Sequence, residues 1–222
     1  MGKRVHPLAA FAANVLLNSF GIKRQSTEDG IPELGDIPEI LALRKKDGAV
    51  VLILGRRESG KTILAQRLAE ILERPTYAIS PEQSTPHWIR EIKLEQVSEL
   101  PPPNSALILD DIPVYASQRD YTDTFIRALE QLIPVVRHRR KIILIFSSQS
   151  SGLSDKYIMD SDIILLKSAN MLFSDLERPS VVKLYKQVMP IFDEMSLRQQ
   201  QKHCFLFSQS WKGLVRVNLP HE

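Results

Sequence analysis

Eight consecutive residues, Gly55, Arg56, Arg57, Glu58, Ser59, Gly60, Lys61 and Thr62, satisfy the pattern GxxxxGK[ST] at every fixed position. This spacing is built for phosphate. Its glycines let successive backbone N–H groups turn inward around phosphate oxygens, and a helix opening at Lys61 adds the positive end of its dipole. Lys61 brings a point charge to the β- and γ-phosphates of a bound nucleotide, and Thr62 offers a hydroxyl to Mg²⁺. The motif directly follows the apolar run Ala49-Val50-Val51-Leu52-Ile53-Leu54 and precedes a helical pattern. That strand–loop–helix order is the context the mechanism needs.

A second chemical element lies about fifty residues on, where Leu107-Ile108-Leu109 ends in Asp110-Asp111. An apolar strand ending in acids delivers carboxylates to the C-terminal edge of an α/β sheet, where ligands bind. Asp110 is the natural Mg²⁺ partner, and Asp111 is placed to orient or deprotonate an attacking water. The third element is Ser147-Ser148-Gln149 after an apolar run. Gln149 either reaches the γ-phosphate or the lytic water, or caps the next helix. Ahead of that run stands Arg137-His138-Arg139-Arg140-Lys141. This cluster is either a solvated helix end, where cations are favoured, or the source of an arginine for a neighbour's nucleotide. Sequence does not choose between Arg137, Arg139 and Arg140.

Positioning these groups requires alternating strands and helices. Apolar runs at 49–54, 76–79, 106–109, 142–146, 163–166 and 203–207 read as strands, with an alternating edge strand at 214–219. Helical patterns span 61–73, 121–137 and 194–202. Runs apolar on both faces, separated by helices, mean a mostly parallel α/β sheet. Residues 1–46 differ: 7–20 form an amphipathic pattern flanked by Lys3-Arg4 and Lys23-Arg24, 25–36 read as a polar linker, and 37–46 as a short helix. The first of these either packs on its own domain or a neighbouring subunit, or contacts a membrane or capsid through residues 1–24. The expected division is therefore 1–46, an N-terminal helical extension and linker, and 47–222, the nucleotide domain.

Composition narrows the class. The chain has 222 residues, 43% hydrophobic and 25% charged, ordinary for a globular protein. Its single cysteine, Cys204, excludes an intrachain disulfide framework, fits a reducing compartment and sits in an apolar run as a core thiol. The run from Leu8 to Leu17 falls short of the roughly 20 residues that span a bilayer, so a cytoplasmic location is expected. A net charge of +3 is compatible with a nucleic-acid partner without arguing one.

The order of phosphate loop, Asp110-Asp111, basic helix end and strand closing in Ser-Gln resembles the FtsK–HerA superfamily of DNA-pumping ATPases. It is most similar to the compact viral genome-packaging ATPases, over roughly residues 48–220. The resemblance implies a RecA-like P-loop NTPase fold and ATP hydrolysis with Mg²⁺. It makes Gln149 the sensor of γ-phosphate loss and one of Arg137, Arg139 and Arg140 a finger acting in trans. It also implies an oligomeric ring, usually a hexamer, around non-specifically bound double-stranded DNA, in host cytoplasm or associated with a virion. The superfamily usually has Glu where this chain has Asp111, a carboxylate one methylene shorter. Basic residues available to a pore are Arg119, Arg178, Lys183, Lys186, Lys212 and Arg216, scattered rather than clustered. Two other readings compete: a nucleotide-switched assembly or secretion adaptor docking to membrane or capsid, and a small-molecule kinase with residues 137–141 as an arginine-rich lid.

Overall fold

A computed structural model of the chain describes residues 30–80, 85–93, 96, 101–110, 141–148, 161–169 and 179–218. Within them, strands β1 (Ala49–Leu54), β2 (Thr76–Ile79), β3 (Ile89–Glu91), β4 (Ala106–Leu109), β5 (Ile143–Ser148), β6 (Ile163–Leu166), β7 (His203–Ser208) and β8 (Lys212–Arg216) build one sheet. Its order is β3-β2-β4-β5-β1-β6-β7-β8. The pairings from β3 across to β6 are parallel, and β7 and β8 return antiparallel. This is the mostly parallel α/β sheet expected, in the RecA-like P-loop arrangement.

Every residue of β1, β4 and β5 is buried, because helices cover both faces of a parallel sheet. Successive residues serve opposite layers. Val50, Leu52 and Leu54 join Leu144, Phe146 and helix α3 (Pro179–Asp193) through Val181, Tyr185, Val188 and Phe192. Ala49, Val51 and Ile53 face the other way, onto α1 (Pro38–Leu43) and α2 (Lys61–Leu72) through Ile40, Leu43, Leu64 and Leu68. Leu34 and Ile37, just before α1, belong to that second layer. Cys204 is buried there as well, as its apolar run suggested.

Helix α3 is absent from the sequence reading, and its Pro190 explains why. A proline inside a helix costs roughly 3 kcal/mol and normally argues against one. Here Val181, Tyr185, Val188, Ile191 and Phe192 repeat at helical spacing and are buried, which outweighs that cost. The helix expected over 194–202 is confined to α4 (Leu197–Lys202) because Ser196 caps it. The Ser196 Oγ accepts from the Gln199 N–H while Gln199 Oε1 accepts from the Ser196 N–H at 2.9 Å, a reciprocal cap. The edge strand starts at Lys212 instead of residue 214. β3 went unnoticed because only Ile89 of its three residues is buried. The patterns at 7–20 and 121–137 lie outside the described residues.

Candidate nucleotide site

Parallel register does the assembling. Leu54 pairs with Ser148 of β5 and Leu166 of β6, and Leu109 pairs with Phe146. Gly55, Asp110, Ser147-Ser148 and Lys167 therefore emerge along one C-terminal edge, where open α/β sheets bind ligands. β5 lies between the strand bearing the phosphate loop and the strand bearing Asp110.

The loop itself leaves β1 at Gly55, whose N–H donates to Ser148 O at 3.3 Å. Gly60 adopts φ 87° just before α2, a left-handed conformation that side chains with a Cβ resist. Lys61 is buried, and its Nζ donates back into the loop to Arg56 O at 3.0 Å. The ammonium thus stands inside the concavity the motif was expected to form. The Ser59 Oγ is buried there and, among the described residues, has no hydrogen-bond partner. A buried hydroxyl without a partner is costly; this one lies against Gly55, 2.8 Å from where a Cβ there would stand.

Across β5, the Thr62 Oγ1 donates to Asp110 Oδ2 at 2.7 Å. Asp110 is 3% exposed. A hydroxyl and a buried carboxylate in contact are hard oxygen donors, the set that Mg²⁺ takes while keeping several waters. Two residues singled out forty-eight positions apart as metal ligands thus touch. Between them in the sheet, the Ser147 Oγ is also buried without a partner among the described residues.

The other flank of the loop was not foreseen. Lys167, directly after β6, is fully buried, and its Nζ donates to Gln201 O and His203 O, each at 2.7 Å. Burial pushes this ammonium down to about 8; the neighbouring Cys204 thiol opposes that shift and Lys61 adds to it. Burial raises the Cys204 thiol to about 12 and lowers the His203 imidazole below its ordinary value. Ser168 receives the Arg56 N–H on its carbonyl at 2.8 Å and Arg56 Nε on its Oγ at 3.2 Å. From α4, Gln200 Oε1 accepts from Arg56 Nη2 and Gln201 Nε2 donates to Glu58 O, both at 3.3 Å. One sequence signal pointed here: a lysine directly after a central apolar strand must surface at the same edge as the loop.

The structure brings Gly55, Arg56, Arg57, Glu58, Ser59, Gly60, Lys61, Thr62 and Asp110 into one site. Asp111, Gln149, Arg137, Arg139 and Arg140 lie outside the described residues, as do Arg119, Arg178 and residues 1–24. Lys183 and Lys186 are exposed on the outer side of α3. Lys212 donates to Gln187 Oε1 at 2.6 Å and stands over the Phe207 ring, and Arg216 pairs with Glu33 at 2.8 Å. Among the described residues no helix is long and apolar enough to cross a membrane.

Solved structures share this fold. The cytoplasmic domain of the type VII secretion ATPase EccC from Thermomonospora curvata matches with a TM-score of 0.52 at 16% identity, over 81% of this chain and 24% of that one. A structure described as an ATPase matches with a TM-score of 0.52 at 14% identity, over 96% of this chain and 94% of its own. The DNA-packaging ATPase B204 from Sulfolobus turreted icosahedral virus aligns with a TM-score of 0.49 at 13% identity, over 78% of this chain and 98% of its own. No protein-family model and no curated protein matches the sequence. The chain has the fold of P-loop ATPases.

Proposed function

We propose that the chain is an ATP-hydrolysing oligomeric motor that translocates double-stranded DNA, packaging a viral genome. The observation that carries the nucleotide half of this reading is the 2.7 Å contact between Thr62 and Asp110 beside a loop that already holds the Lys61 ammonium. Lys61 and the inward N–H groups bind the phosphates, and Thr62 and Asp110 would hold Mg²⁺. That ion, when bound, supplies charge neutralisation on the phosphate oxygens. In this reading Asp111 orients or deprotonates the water, Gln149 senses the γ-phosphate, and one of Arg137, Arg139 and Arg140 serves a neighbouring subunit's nucleotide in a hexameric ring.

The DNA half rests on the order of motifs in the sequence and on the exposed Lys183 and Lys186, suited to non-specific phosphate contacts. Residues 47–222 form the motor, and 1–46 an extension with a contact to membrane or capsid through 1–24. The site of action is the host cytoplasm or the virion.

Steady-state ATP hydrolysis with Mg²⁺ at low salt, with and without long double-stranded DNA, is the test. Several-fold stimulation by DNA, lost in Lys61→Ala, is the expected result. A ring that turns over ATP indifferently to DNA, and binds liposomes only while residues 1–24 are present, would instead make the chain a nucleotide-switched assembly or secretion adaptor. Turnover that survives Lys61→Ala would remove the site from the reaction.

A further inference from the structure

The loop's second glycine and its first share a neighbour that neither phosphate binding nor hydrolysis requires. A Cβ placed on Gly55 would lie 2.6 Å from Lys167 Cβ, and one on Gly60 would lie 3.4 Å from Gln201 O and 3.8 Å from Lys167 Nζ. Lys167 thus runs beneath the loop from its start to the helix it opens, too close at Gly55 for a side chain to fit. Its ammonium has three hydrogens to place; the acceptors among the described residues are two main-chain carbonyls, at the end of α4 and the start of β7. A buried cation neutralised by no carboxylate among the described residues is an expensive way to fill space. A leucine or methionine would pack the same volume without that cost. What the lysine adds is a fixed link between a loop and a segment that main-chain hydrogen bonding otherwise leaves separate.

That segment reaches the loop independently, through Gln200 to Arg56 and Gln201 to Glu58 O. Gln200 and Gln201 bond to Arg56 and Glu58, while Lys167 packs under Gly55 and bonds to the carbonyls of Gln201 and His203, so a movement of the loop is felt at α4 and at the first residue of β7. We infer that Lys167 is a positioning residue for the phosphate loop, a buried strut that sets the loop's floor and couples its occupancy to α4 and the start of β7. The inference rests on the reading that the loop holds nucleotide phosphates, and assigns that site an output route through residues 197–204.

The charged and titratable groups facing Lys167 are Lys61 from α2 and His203 and Cys204 from β7. The His203 ring and the Cys204 thiol are both held toward their neutral forms by burial, which leaves Lys61 as the neighbouring charge. A polyphosphate that draws Lys61 off the Arg56 carbonyl offsets that charge and favours the protonated strut. At pH 7 the strut is already protonated and binding needs no proton. At pH 9 binding must recruit one, so affinity for nucleotide falls with rising pH. A strut with only a packing role would leave this profile unchanged when replaced.

Full-length protein is titrated with ADP and Mg²⁺ by calorimetry at pH 7 and 9, and amide hydrogen exchange is followed with and without ADP, for the native sequence, Lys167→Met and Lys167→Arg. In the native sequence ADP slows exchange across 197–204 as well as across α2, and binding weakens several-fold at pH 9. Lys167→Met weakens binding at pH 7 by ~10-fold, as loss of a supporting residue typically does. It also flattens the pH dependence and sharply reduces protection at 197–204, leaving what the Gln200 and Gln201 contacts carry, while protection of α2 persists. Lys167→Arg, charged at both pH values, restores binding at pH 7 with a flat profile. Unchanged exchange at 197–204 in the native protein while ADP is bound overturns the inference without any variant having to fold. Native affinity and native pH profile in Lys167→Met overturn it equally. A native protein that binds no ADP at all removes the nucleotide reading itself, and the strut's proposed output with it.

Discussion

The strand that carries the phosphate loop has two unlike flanks. Toward β5 and β4, the sheet edge presents side-chain oxygens: Thr62 on Asp110, and the Ser147 hydroxyl with no partner among the described residues. Toward β6 and β7, main-chain groups dominate: Lys167 donates to the Gln201 and His203 carbonyls, Ser168 O accepts from the Arg56 N–H and Gln201 donates to the Glu58 carbonyl, while Gln200 accepts from the Arg56 guanidinium. Groups on the first flank can exchange partners when a ligand and its cation arrive. Those on the second are committed before any ligand is present. A site of this kind divides its work between atoms that react and atoms that keep the reacting ones in register, and the division follows the sheet order.

Substitutions on the two flanks should therefore fail differently. The largest effect is expected on the first: Asp110→Asn removes the carboxylate facing Thr62 and should lower Mg²⁺-dependent ATP turnover by ~10³-fold, about 4 kcal/mol in the barrier, with little change in melting temperature. Steady-state hydrolysis beside a thermal melt separates the two quantities; a collapse of the melt instead would mean that Asp110 holds the fold. On the second flank stability responds, through Lys167. Its proton is held less tightly in the folded chain, with a value of about 8, than in an unfolded one at 10.5. Between those values the unfolded chain binds more protons at this lysine, so its contribution to stability rises with pH, by up to about 3 kcal/mol, opposed above pH 9 by the Cys204 thiol, which ionises first in the unfolded chain. In Lys167→Met the rise should be absent and only the fall from Cys204 should remain when urea melts of the two proteins are compared at pH 7.5 and 10. Smaller again, Gly55→Ala should cost about 2 kcal/mol in the same melts, since its new methyl must displace Lys167 and the Ser59 hydroxyl, 2.6 and 2.8 Å away. Stability unaltered by that methyl would show that the loop rests less firmly on β6 than the distances imply.

Much of the first flank was readable in the sequence. Its residues sit in fixed local patterns, a glycine-lysine-threonine loop after one apolar run and an acid after another, and parallel pairing then brings strand ends together by geometry alone. The second flank was not readable, because its contacts join the end of β6 to α4 and β7 across 34 and 36 positions of chain, and no local pattern pairs those residues. A lysine after Leu166 resembles any solvated strand end until Gln201 and His203 are seen to cover it. The strands were likewise recovered where continuous apolar runs are diagnostic, and missed at β3, where one buried residue in three leaves no pattern. Pro190 hid α3 for a separate reason: local propensity opposed a helix that tertiary burial enforces.

The placement of β1 at the centre of the sheet also sets a schedule. Its two neighbours are β5 and β6, and the Val50 N–H already depends on the Asp162 carboxylate 112 positions later in the chain. No local hairpin can shelter this strand, because its partners are distant in sequence. Emerging from a ribosome, Ala49–Leu54 remains an unpaired, wholly apolar segment until most of the chain has followed, and Lys167 has no carbonyls to receive its ammonium until His203 is in place. Such long-range closure predicts slow folding and a long interval of exposure to aggregation. A nucleotide that binds only the finished loop would then act late, trapping completed molecules without hastening their arrival.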